Sequence, residues 1–429
     1  MNIHIHTFGC KLNQYESEKI SFELKNMGAN ITELKNADAI AINTCTVTND
    51  SDKKLINYLD KLENISQKKI FLIGCYVSKK ENIIKENSKE ENLFDKENIT
   101  IIPNDKKEEA SQIIFNTLTK NYESEFKNPI FFPQEQSRAY LKIQDGCEVF
   151  CSYCIVARVR GKHKSVEPKK IYDAIKIAYE YGYKEIVLTG LNLGSYNYNN
   201  EIKFIQIVKN MLEISSKFGI RIRLSSIEPI YFNDELISLF KNSEVLCPHA
   251  HIPLQSGSDK ILKLMNRRYT KENYLNIVEK LYKINSNIGI SADIMVGFPN
   301  EDSNDFKDTY NLCEKSKFIK MHIFRYSNRE NTPSSKMSNQ VGYRTKLKRA
   351  KLLNELNNKM KDDFYKNAIN RELKVIAEKK LENNYYIGTS GEYLRVKFKS
   401  EKIIEKKDII KVKAIKYEDN IIIGEAKNG

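Results

Sequence analysis

Short apolar runs alternate with segments of helical spacing along the first part of the chain. Three runs predict strands, and the segments after the first two predict helices, because apolar residues recur there every three or four positions. Strands that alternate with helices in this way favour a parallel α/β sheet. The predicted strands are 3–8, 39–43, 70–73 and one ending at 101–104, and the predicted helices are 16–28, 49–65 and 106–120.

The same alternation continues through the middle of the chain, where six further predicted strands alternate with five helical segments. Six units in about 190 residues predict a partial (β/α)6 barrel, because a complete eightfold barrel takes about 250 residues. The predicted strands are 138–144, 184–189, 220–227, 248–254, 289–296 and 319–326, and the predicted helices are 168–182, 202–218, 232–242, 259–286 and 302–316.

The last part of the chain changes its pattern. After a charged helix over 344–369, the segments 393–398 and 409–415 alternate β-branched apolar residues with polar ones. This alternation, with turn residues between the segments, is typical of a small antiparallel β-barrel. The sequence therefore predicts an α/β protein with domains over 1–125, 138–343 and 370–429, a linker at 126–137 and a connecting helix at 344–369.

The positive charge is concentrated near the C-terminus. The chain carries a net charge of +14, and residues 341–429 contain 22 Lys and Arg against 13 Asp and Glu. A basic terminal module favours a polyanionic partner such as nucleic acid, and small OB-type barrels commonly bind oligonucleotides. The alternatives are a solvated lysine-rich surface and a purely structural barrel.

Nothing in the hydropathy pattern suggests a membrane. No run approaches the roughly 20 apolar residues of a membrane span, and the N-terminus lacks the basic and apolar regions of a signal peptide. We therefore expect a soluble, cytoplasmic protein with no membrane partner.

Three of the eight cysteines form a C-x3-C-x2-C triplet, Cys147, Cys151 and Cys154, directly after the first predicted barrel strand. One loop can bring three such thiolates to one iron–sulfur cluster, and three ligands leave one iron open. Barrel active sites also lie at the carboxyl ends of the strands. A structural zinc site, which takes four ligands, is the alternative.

A second set, Cys10, Cys45 and Cys75, ends the three N-terminal strands. The carboxyl ends of parallel strands meet at one edge of a sheet, so these three thiols are candidate ligands of a second cluster. Gly9 and Gly74 would allow the backbone to approach a bulky group. The alternative is that each cysteine is a small buried apolar residue. Cys247 and Cys313 show no grouping and are read as structural.

The triplet, with Tyr153 before its last cysteine, resembles the signature of the radical S-adenosylmethionine (SAM) superfamily. Further blocks in the same order resemble the methylthiotransferase family of that superfamily. They are 7–17, 43–47, 74–76, 160–161, 187–190, 225–229, 251–258 and 293–299. Two departures stand out: 157–161 lacks a proline often seen after the triplet, and the C-terminal barrel is short.

The resemblance implies an N-terminal cluster domain, a radical SAM barrel and an RNA-binding TRAM-like barrel. It implies SAM and two 4Fe–4S clusters as cofactors, with the six cysteines of the two sets as ligands. Residues 10–17 are most similar to the branch that adds a methylthio group to C2 of N6-threonylcarbamoyladenosine at tRNA position 37. SAM would methylate a sulfur on one cluster, and at the other it would yield a 5′-deoxyadenosyl radical that removes the C2 hydrogen.

The partners implied are the tRNA anticodon loop, a one-electron donor of flavodoxin or ferredoxin type, and a sulfur donor. No catalytic residue is expected beyond the cluster ligands, because an unactivated C–H bond is a task for the cofactor. Both triplets are expected to face one cavity between the N-terminal sheet edge and the barrel mouth. Alternatives are a substrate of N6-isopentenyladenosine tRNA or a ribosomal protein aspartate, and a non-catalytic, metal-containing RNA-binding protein.

Candidate cofactor contacts lie at predicted barrel strand ends and on the triplet loop. Their alternatives are ordinary turn residues, and for the carboxylate a charge at a helix N-terminus. The candidates are Tyr153, Thr189, Gly190, Glu228, Gln255 and Ser256. Arg325 and Arg329 are candidates to hold RNA phosphate or a substrate carboxylate, with surface salt bridges as the slightly favoured alternative.

Overall fold

The computed structural model describes residues 1–46, 49–62, 68–78, 97–119 and 136–427. Nearly all of the predicted linker at 126–137 lies outside these residues. The chain divides into two compact units. The first comprises 1–133, 145–164 and 327–335, and the second comprises 134–144, 165–326 and 336–429. The segment that carries the cysteine triplet therefore belongs to the first unit.

The described residues form twenty strands. These are β1 Asn2–Thr7, β2 Asn30–Ile31, β3 Ala39–Thr44, β4 Lys69–Gly74, β5 Ile99–Ile102, β6 Ala139–Lys142, β7 Gln144–Asp145, β8 Lys164–Ser165, β9 Glu185–Thr189, β10 Asn197–Tyr198, β11 Ile202–Lys203, β12 Arg221–Leu224, β13 His249–His251, β14 Gly289–Val296, β15 Lys320–Arg325, β16 Glu372–Lys380, β17 Tyr385–Ser390, β18 Arg395–Lys399, β19 Ile409–Glu418 and β20 Ile421–Ala426.

Eleven α-helices have complete bounds in the described part of the chain, and short 3-10 turns lie between some of them. The helices are α1 Lys11–Asn26, α2 Asn49–Asp60, α3 Ala110–Thr119, α4 Val156–Arg160, α5 Pro168–Glu180, α6 Phe204–Phe218, α7 Asp234–Asn242, α8 Asp259–Leu264, α9 Lys271–Ile284, α10 Ser303–Ser316 and α11 Tyr343–Lys366. None of the helices among these residues is long and apolar enough to cross a membrane.

The first unit contains a five-stranded sheet in the order β2-β1-β3-β4-β5, and every pair in it is parallel. This confirms the predicted N-terminal α/β sheet. All six residues of β3 are buried. One sheet face packs against α1 and α3, and the other packs against α2. The central strands β3 and β4 are covered on both faces and are largely apolar, which is why the sequence shows them as continuous runs.

The second unit contains the predicted partial barrel. Six parallel strands follow the order β6-β9-β12-β13-β14-β15, with β12 and β13 joined by the isolated bridges Ile222–Leu246 and Ser226–His251. The predicted helix 259–286 is wrong in one respect, because it is two helices, α8 and α9. Asn266 has a left-handed backbone, and Thr270 begins α9 with a capping box.

The C-terminal segment forms a closed barrel in the order β16-β17-β18-β20-β19. Its pairs are antiparallel, as predicted, except for the parallel pair β18–β20. Asp419 and Asn420 both have positive φ in the tight turn between β19 and β20, a geometry that these residue types tolerate. Inward-facing apolar residues of all five strands form its core.

A buried carboxylate joins this small barrel to the strands of the larger one. Glu185 on β9 is fully buried and accepts hydrogen bonds from Arg221 Nε (2.6 Å) and Arg223 Nε (2.7 Å) on β12. Arg223 also donates to the carbonyl oxygens of Ser390 (3.0 Å) and Gly391 (2.9 Å). Burial alone would raise the pKa of Glu185, but the guanidinium groups lower it well below its ordinary value.

We predict that Glu185→Gln lowers the free energy of unfolding by about 3–5 kcal/mol, because it leaves buried guanidinium groups without their counter-charge. Glu213→Gln is the matched control, since Glu213 pairs with Lys217 in solvent and its loss should cost less than about 1 kcal/mol. Urea unfolding followed by circular dichroism measures both. Equal losses in the two variants would contradict the prediction.

Candidate functional site

Three cysteines lie at one edge of the N-terminal sheet. Cys10 immediately precedes α1 just beyond β1, Cys45 directly follows β3, and Cys75 directly follows β4. These three strands are neighbours in the sheet, so their carboxyl ends lie side by side. Cys45 and Cys75 are buried, whereas Cys10 is exposed.

Two glycines make this edge possible. Gly9 has φ +109°, and a Cβ there would lie 2.6 Å from Cβ and 2.9 Å from Sγ of Cys45. Gly74 has φ +97°, and a Cβ there would lie 3.0 Å from both Asn43 Oδ1 and Lys107 Nζ. Both positions therefore need glycine for backbone conformation and for space.

The second triplet lies on a tight loop in the same unit. Gly146 opens the loop with φ +72°, and a Cβ there would lie 2.0 Å from the carbonyl oxygen of Lys162. Cys147 N–H donates to Gly161 O (3.3 Å), and Val156 N–H donates to Cys154 Sγ (3.4 Å). All three thiols are partly exposed. A donor aimed at a sulfur favours its thiolate form, which is the form that binds metal.

Arg160 connects the two triplets. It lies at the end of α4, just after the triplet loop, with a side chain that is almost fully buried. Its Nε donates to Cys75 Sγ (3.2 Å), and its two terminal nitrogens donate to Glu16 Oε1 (2.6 Å) and Asn13 Oδ1 (2.7 Å). Glu16 and Asn13 belong to α1, which Cys10 immediately precedes. One guanidinium thus joins the triplet loop to Cys75, at the end of β4, and to α1, which begins directly after Cys10.

A second buried cation adds to this network. Lys107 forms a buried ion pair with Glu16. Burial lowers the pKa of Lys107, and Glu16 opposes that shift. Burial would also lower the pKa of Arg160, but Glu16 and Cys75 raise it well above its ordinary value. Two basic side chains thus contact one glutamate beside Cys75.

The segment 327–335 also contacts both the residues beside Cys45 and the triplet loop. Arg329 is buried, donates to Asp52 Oδ2 (2.8 Å) and bonds to Thr46 beside Cys45. Ser334 N–H donates to Ser152 O (2.9 Å) within the triplet loop. The salt bridge expected for Arg329 therefore exists, but it is buried and its guanidinium is committed to the protein.

The predicted SAM contacts Thr189 and Gly190 lie at the carboxyl end of β9. Thr189 Oγ1 and Asn192 Oδ1 are buried, and neither has a hydrogen-bond partner among the described residues. Gly190 packs tightly, since a Cβ there would lie 2.9 Å from Gln144 Oε1. Unpartnered buried polar atoms are costly and mark a place where a polar ligand group fits. Asn192 was not singled out from the sequence.

The other predicted contacts are placed differently. Glu228 forms an ion pair with Arg267, which the break between α8 and α9 brings to it. Burial raises the pKa of Glu228. Gln255 has a left-handed backbone (φ +63°). Ser256 is fully buried and its hydroxyl lies 3.3 Å from Thr309 Oγ1 on α10, so this hydrogen bond holds the loop after β13 against α10.

Tyr153 is half-buried on the triplet loop, next to Cys154. It belongs to the first unit, whereas the other predicted contacts belong to the second.

The sequence did not predict a polar cluster that lies on three neighbouring barrel strands. The ligating atoms of His251, Asp293 and His322 lie within 4.8 Å of one another. His251 Nε2 lies 3.1 Å from Asp293 Oδ2, and His251 Nδ1 lies 2.9 Å from Ser291 Oγ. Burial opposes the shift, but the hydrogen bond from His251 lowers the pKa of Asp293. Strand alternation places Asp293 and Ser291 on one sheet face, which only the strand register reveals.

Comparison with known proteins gives two family matches. The Radical SAM superfamily matches residues 141–313, and Uncharacterized protein family UPF0004 matches residues 2–96. The cobalamin-dependent S-adenosylmethionine radical enzyme OxsB superposes with a TM-score of 0.52 at 10% identity, over 84% of this chain and 56% of OxsB. The radical S-adenosylmethionine methyltransferase TsrM from Kitasatospora setae gives 0.51 at 10%, over 78% and 76%. These likenesses show the fold of radical SAM enzymes.

Relatives match nearly the whole chain. Threonylcarbamoyladenosine tRNA methylthiotransferase MtaB of Bacillus subtilis is 34% identical, over 96% of this chain and 94% of its own. The protein of the same name from Thermotoga maritima is 33% identical, over 94% and 92%. The tRNA-2-methylthio-N(6)-dimethylallyladenosine synthase of Clostridium tetani is 36% identical, over 89% and 86%. The chain belongs to the radical SAM methylthiotransferase family, and membership implies SAM and a 4Fe–4S cluster as cofactors.

We predict that Arg160→Gln lowers the free energy of unfolding of the first unit by about 3 kcal/mol, because Glu16 loses its bidentate partner and Cys75 its donor. Arg158→Gln is the matched control, since Arg158 is exposed on the same helix and its loss should cost less than about 0.5 kcal/mol. Urea unfolding of the two variants, followed by circular dichroism, makes the comparison. If Arg158→Gln were as destabilising, the network would not have the role assigned to it.

Proposed function

We propose that this enzyme adds a methylthio group to C2 of N6-threonylcarbamoyladenosine at position 37 of tRNA. The observation that carries the proposal is the joining of two cysteine triplets in one compact unit through the buried side chain of Arg160. A methylthio transfer needs a sulfur site beside a radical site, and this arrangement supplies two candidate cluster sites. The relatives named for this reaction support the choice of substrate.

In this proposal Cys147, Cys151 and Cys154 hold the cluster that works with SAM, and Cys10, Cys45 and Cys75 hold a second 4Fe–4S cluster. The residues fit both groups, because each set offers three thiols, and one thiol of each set accepts a hydrogen bond from an N–H donor, Cys154 from Val156 and Cys75 from Arg160. Three ligands leave one iron open in each cluster. When bound, the cofactors supply a methylated sulfur and a carbon-centred radical able to remove the C2 hydrogen.

The protein's own tasks are positioning and exclusion of water. Arg160 and Lys107 hold the Cys75 side of the sheet edge, and 327–335 holds the Cys45 side and the triplet loop. Thr189 and Asn192 offer polar atoms to SAM, and Glu228, kept in place by Arg267, offers a carboxylate to its ribose. Precise placement of reactants lowers the barrier, since small displacements cost large factors in rate.

The threonylcarbamoyl branch is favoured by the interior of the partial barrel. A threonylcarbamoyl group carries a carboxylate, a hydroxyl and a carbamoyl, whereas a dimethylallyl group is wholly apolar. His251, Asp293 and His322 make the interior polar, and a polar site discriminates strongly against an apolar analogue. The second candidate, methylthiolation of the dimethylallyl nucleoside, is supported by the Clostridium tetani relative at 36% identity.

The reaction requires a one-electron donor, for which a flavodoxin or ferredoxin is the chemical class, and a source of sulfur. We include both in the proposal as partners, together with the anticodon loop of tRNA in the cytoplasm. A base to be modified must be presented unstacked, which is possible in a single-stranded loop.

We predict that tRNA from a strain lacking this gene loses 2-methylthio-N6-threonylcarbamoyladenosine and regains it on complementation. Complementation by Cys147→Ala or Cys75→Ala should fail, whereas Cys247→Ala, outside both triplets, should succeed. Mass spectrometry of tRNA nucleosides measures each outcome. Loss of only the methylthio derivative of dimethylallyladenosine would transfer the assignment to the second candidate, and no change in either nucleoside would reject both.

We also predict that Gly9→Ala lowers the iron content of the reconstituted protein by about half, because its methyl group would clash with Cys45 and block one cluster. Gly28→Ala is the matched control. Gly28 also has positive φ (+92°), but no atom of the described residues lies within 4 Å of a Cβ there. Both variants carry the backbone strain, and only Gly9→Ala carries the clash. Equal iron content in the two proteins would argue against a cluster at the sheet edge.

A further inference from the structure

A basic and aromatic face lies at the rim of the partial barrel, within the second unit. We refer to it as the rim face. It combines the end of β15 with the first two turns of α11. Its residues are Phe324, Arg325, Tyr343, Arg344, Leu347 and Lys348.

The packing of α11 determines which residues it exposes. The helix lies along β15 and buries Leu353, Leu356 and Met360, and Asn357 Oδ1 accepts from the backbone N–H of Met321. Because helical residues recur every 3.6 positions, the opposite face of its first turns is exposed. Tyr343 on that side is 66% exposed, an unusual degree for an aromatic side chain.

The charge of this region is of one sign. The segment 343–354 contains five cations and no anion. Arg349 is used in a buried ion pair with Glu301, and Lys346 Nζ donates to the carbonyl oxygen of Tyr326 (3.0 Å). The remaining cations, Arg344, Lys348 and Lys351, are exposed. A field of one sign attracts a polyanion.

The aromatic side chains are set for stacking. The Arg325 guanidinium lies over the Tyr343 ring at 5.4 Å from its centroid and donates to the hydroxyl (3.2 Å), which fixes the ring. Phe324 is 43% exposed at the carboxyl end of β15. It shares a strand face with His322, whose partner Asp293 belongs to the polar cluster of the barrel interior. The rim face therefore extends from the barrel mouth outward.

We propose that the rim face binds single-stranded RNA, with bases stacked on Tyr343 and Phe324 and phosphates held by Arg325, Arg344 and Lys348. The inference rests on the proposed function, and it assigns a tRNA contact outside the C-terminal barrel. An acidic protein would need the cations alone, whereas exposed rings beside a guanidinium are the combination that single-stranded nucleic acid uses. The barrel end on which the face lies is the end where barrel active sites open.

The test is binding of a fluorescein-labelled anticodon stem-loop to the cluster-loaded full-length enzyme, measured by anisotropy over a range of salt. Tyr343→Ala should weaken binding about tenfold, and Tyr343→Phe, which keeps the ring, should restore most of it. Arg344→Gln with Lys348→Gln should reduce the slope of log affinity against log salt by about 0.7 for each cation removed.

Tyr179→Ala is the matched control. Tyr179 is 45% exposed on α5 and has the Lys184 ammonium 5.6 Å from its ring centroid, but Lys184 precedes β9 and so lies at the opposite barrel end. Melting temperature and cluster absorbance check that each variant is folded and loaded. A fully paired RNA stem is the second probe, and it should bind equally to Tyr343→Ala and the unchanged enzyme.

Wild-type affinity in Tyr343→Ala and in the double variant would overturn the proposal, and so would a loss equal to that of Tyr179→Ala. An equal loss for the paired stem would overturn the stacking assignment. If the variants bind RNA normally but lose affinity for a flavodoxin, the face belongs to an acidic protein and the RNA proposal is wrong. The proposed function fails separately, because it is judged by tRNA nucleosides and not by affinity.

Discussion

The candidate site depends on the buried contact between Arg160 and Glu16. The ladder of the parallel sheet holds the three strand-end cysteines side by side, but among the described residues no strand pairing joins that sheet to the triplet loop. A guanidinium with five fixed donors can satisfy a carboxylate, an amide oxygen and a sulfur at once, which an ammonium cannot do with the same geometry. Because the pair is buried, solvent and salt screen its electrostatic attraction much less than that of a surface ion pair.

The sequence predicted the parts of the molecule that follow from local periodicity. Cys10, Cys45 and Cys75 could be placed together because strand ends of a parallel sheet converge, and the partial barrel followed from six repeats of one pattern. The prediction of a single helix over 259–286 was wrong because the apolar spacing of the sequence continues across the break. In the structure the left-handed backbone of Asn266 interrupts the helix, and the capping box at Thr270 begins a new one.

Other features could not be predicted because they depend on pairing across long stretches of chain. Arg160 was visible as part of a family motif, but its contact with Cys75 joins residues 85 positions apart. His251, Asp293 and His322 come from three strands whose register is fixed only in the folded barrel. Lys107 is buried, although lysines are rarely placed inside a protein, and only the neighbouring Glu16 explains why it is tolerated.

The contacts of Glu185 with Arg221 and Arg223 limit how the C-terminal barrel can be removed or replaced. Because Arg221 and Arg223 reach from a strand of the large barrel to carbonyl oxygens of the small one, the small barrel is not an interchangeable attachment. Cutting it away would expose two guanidinium groups and a carboxylate made for burial. Any nucleic acid bound by the small barrel would therefore be held at a fixed position relative to β9 and β12.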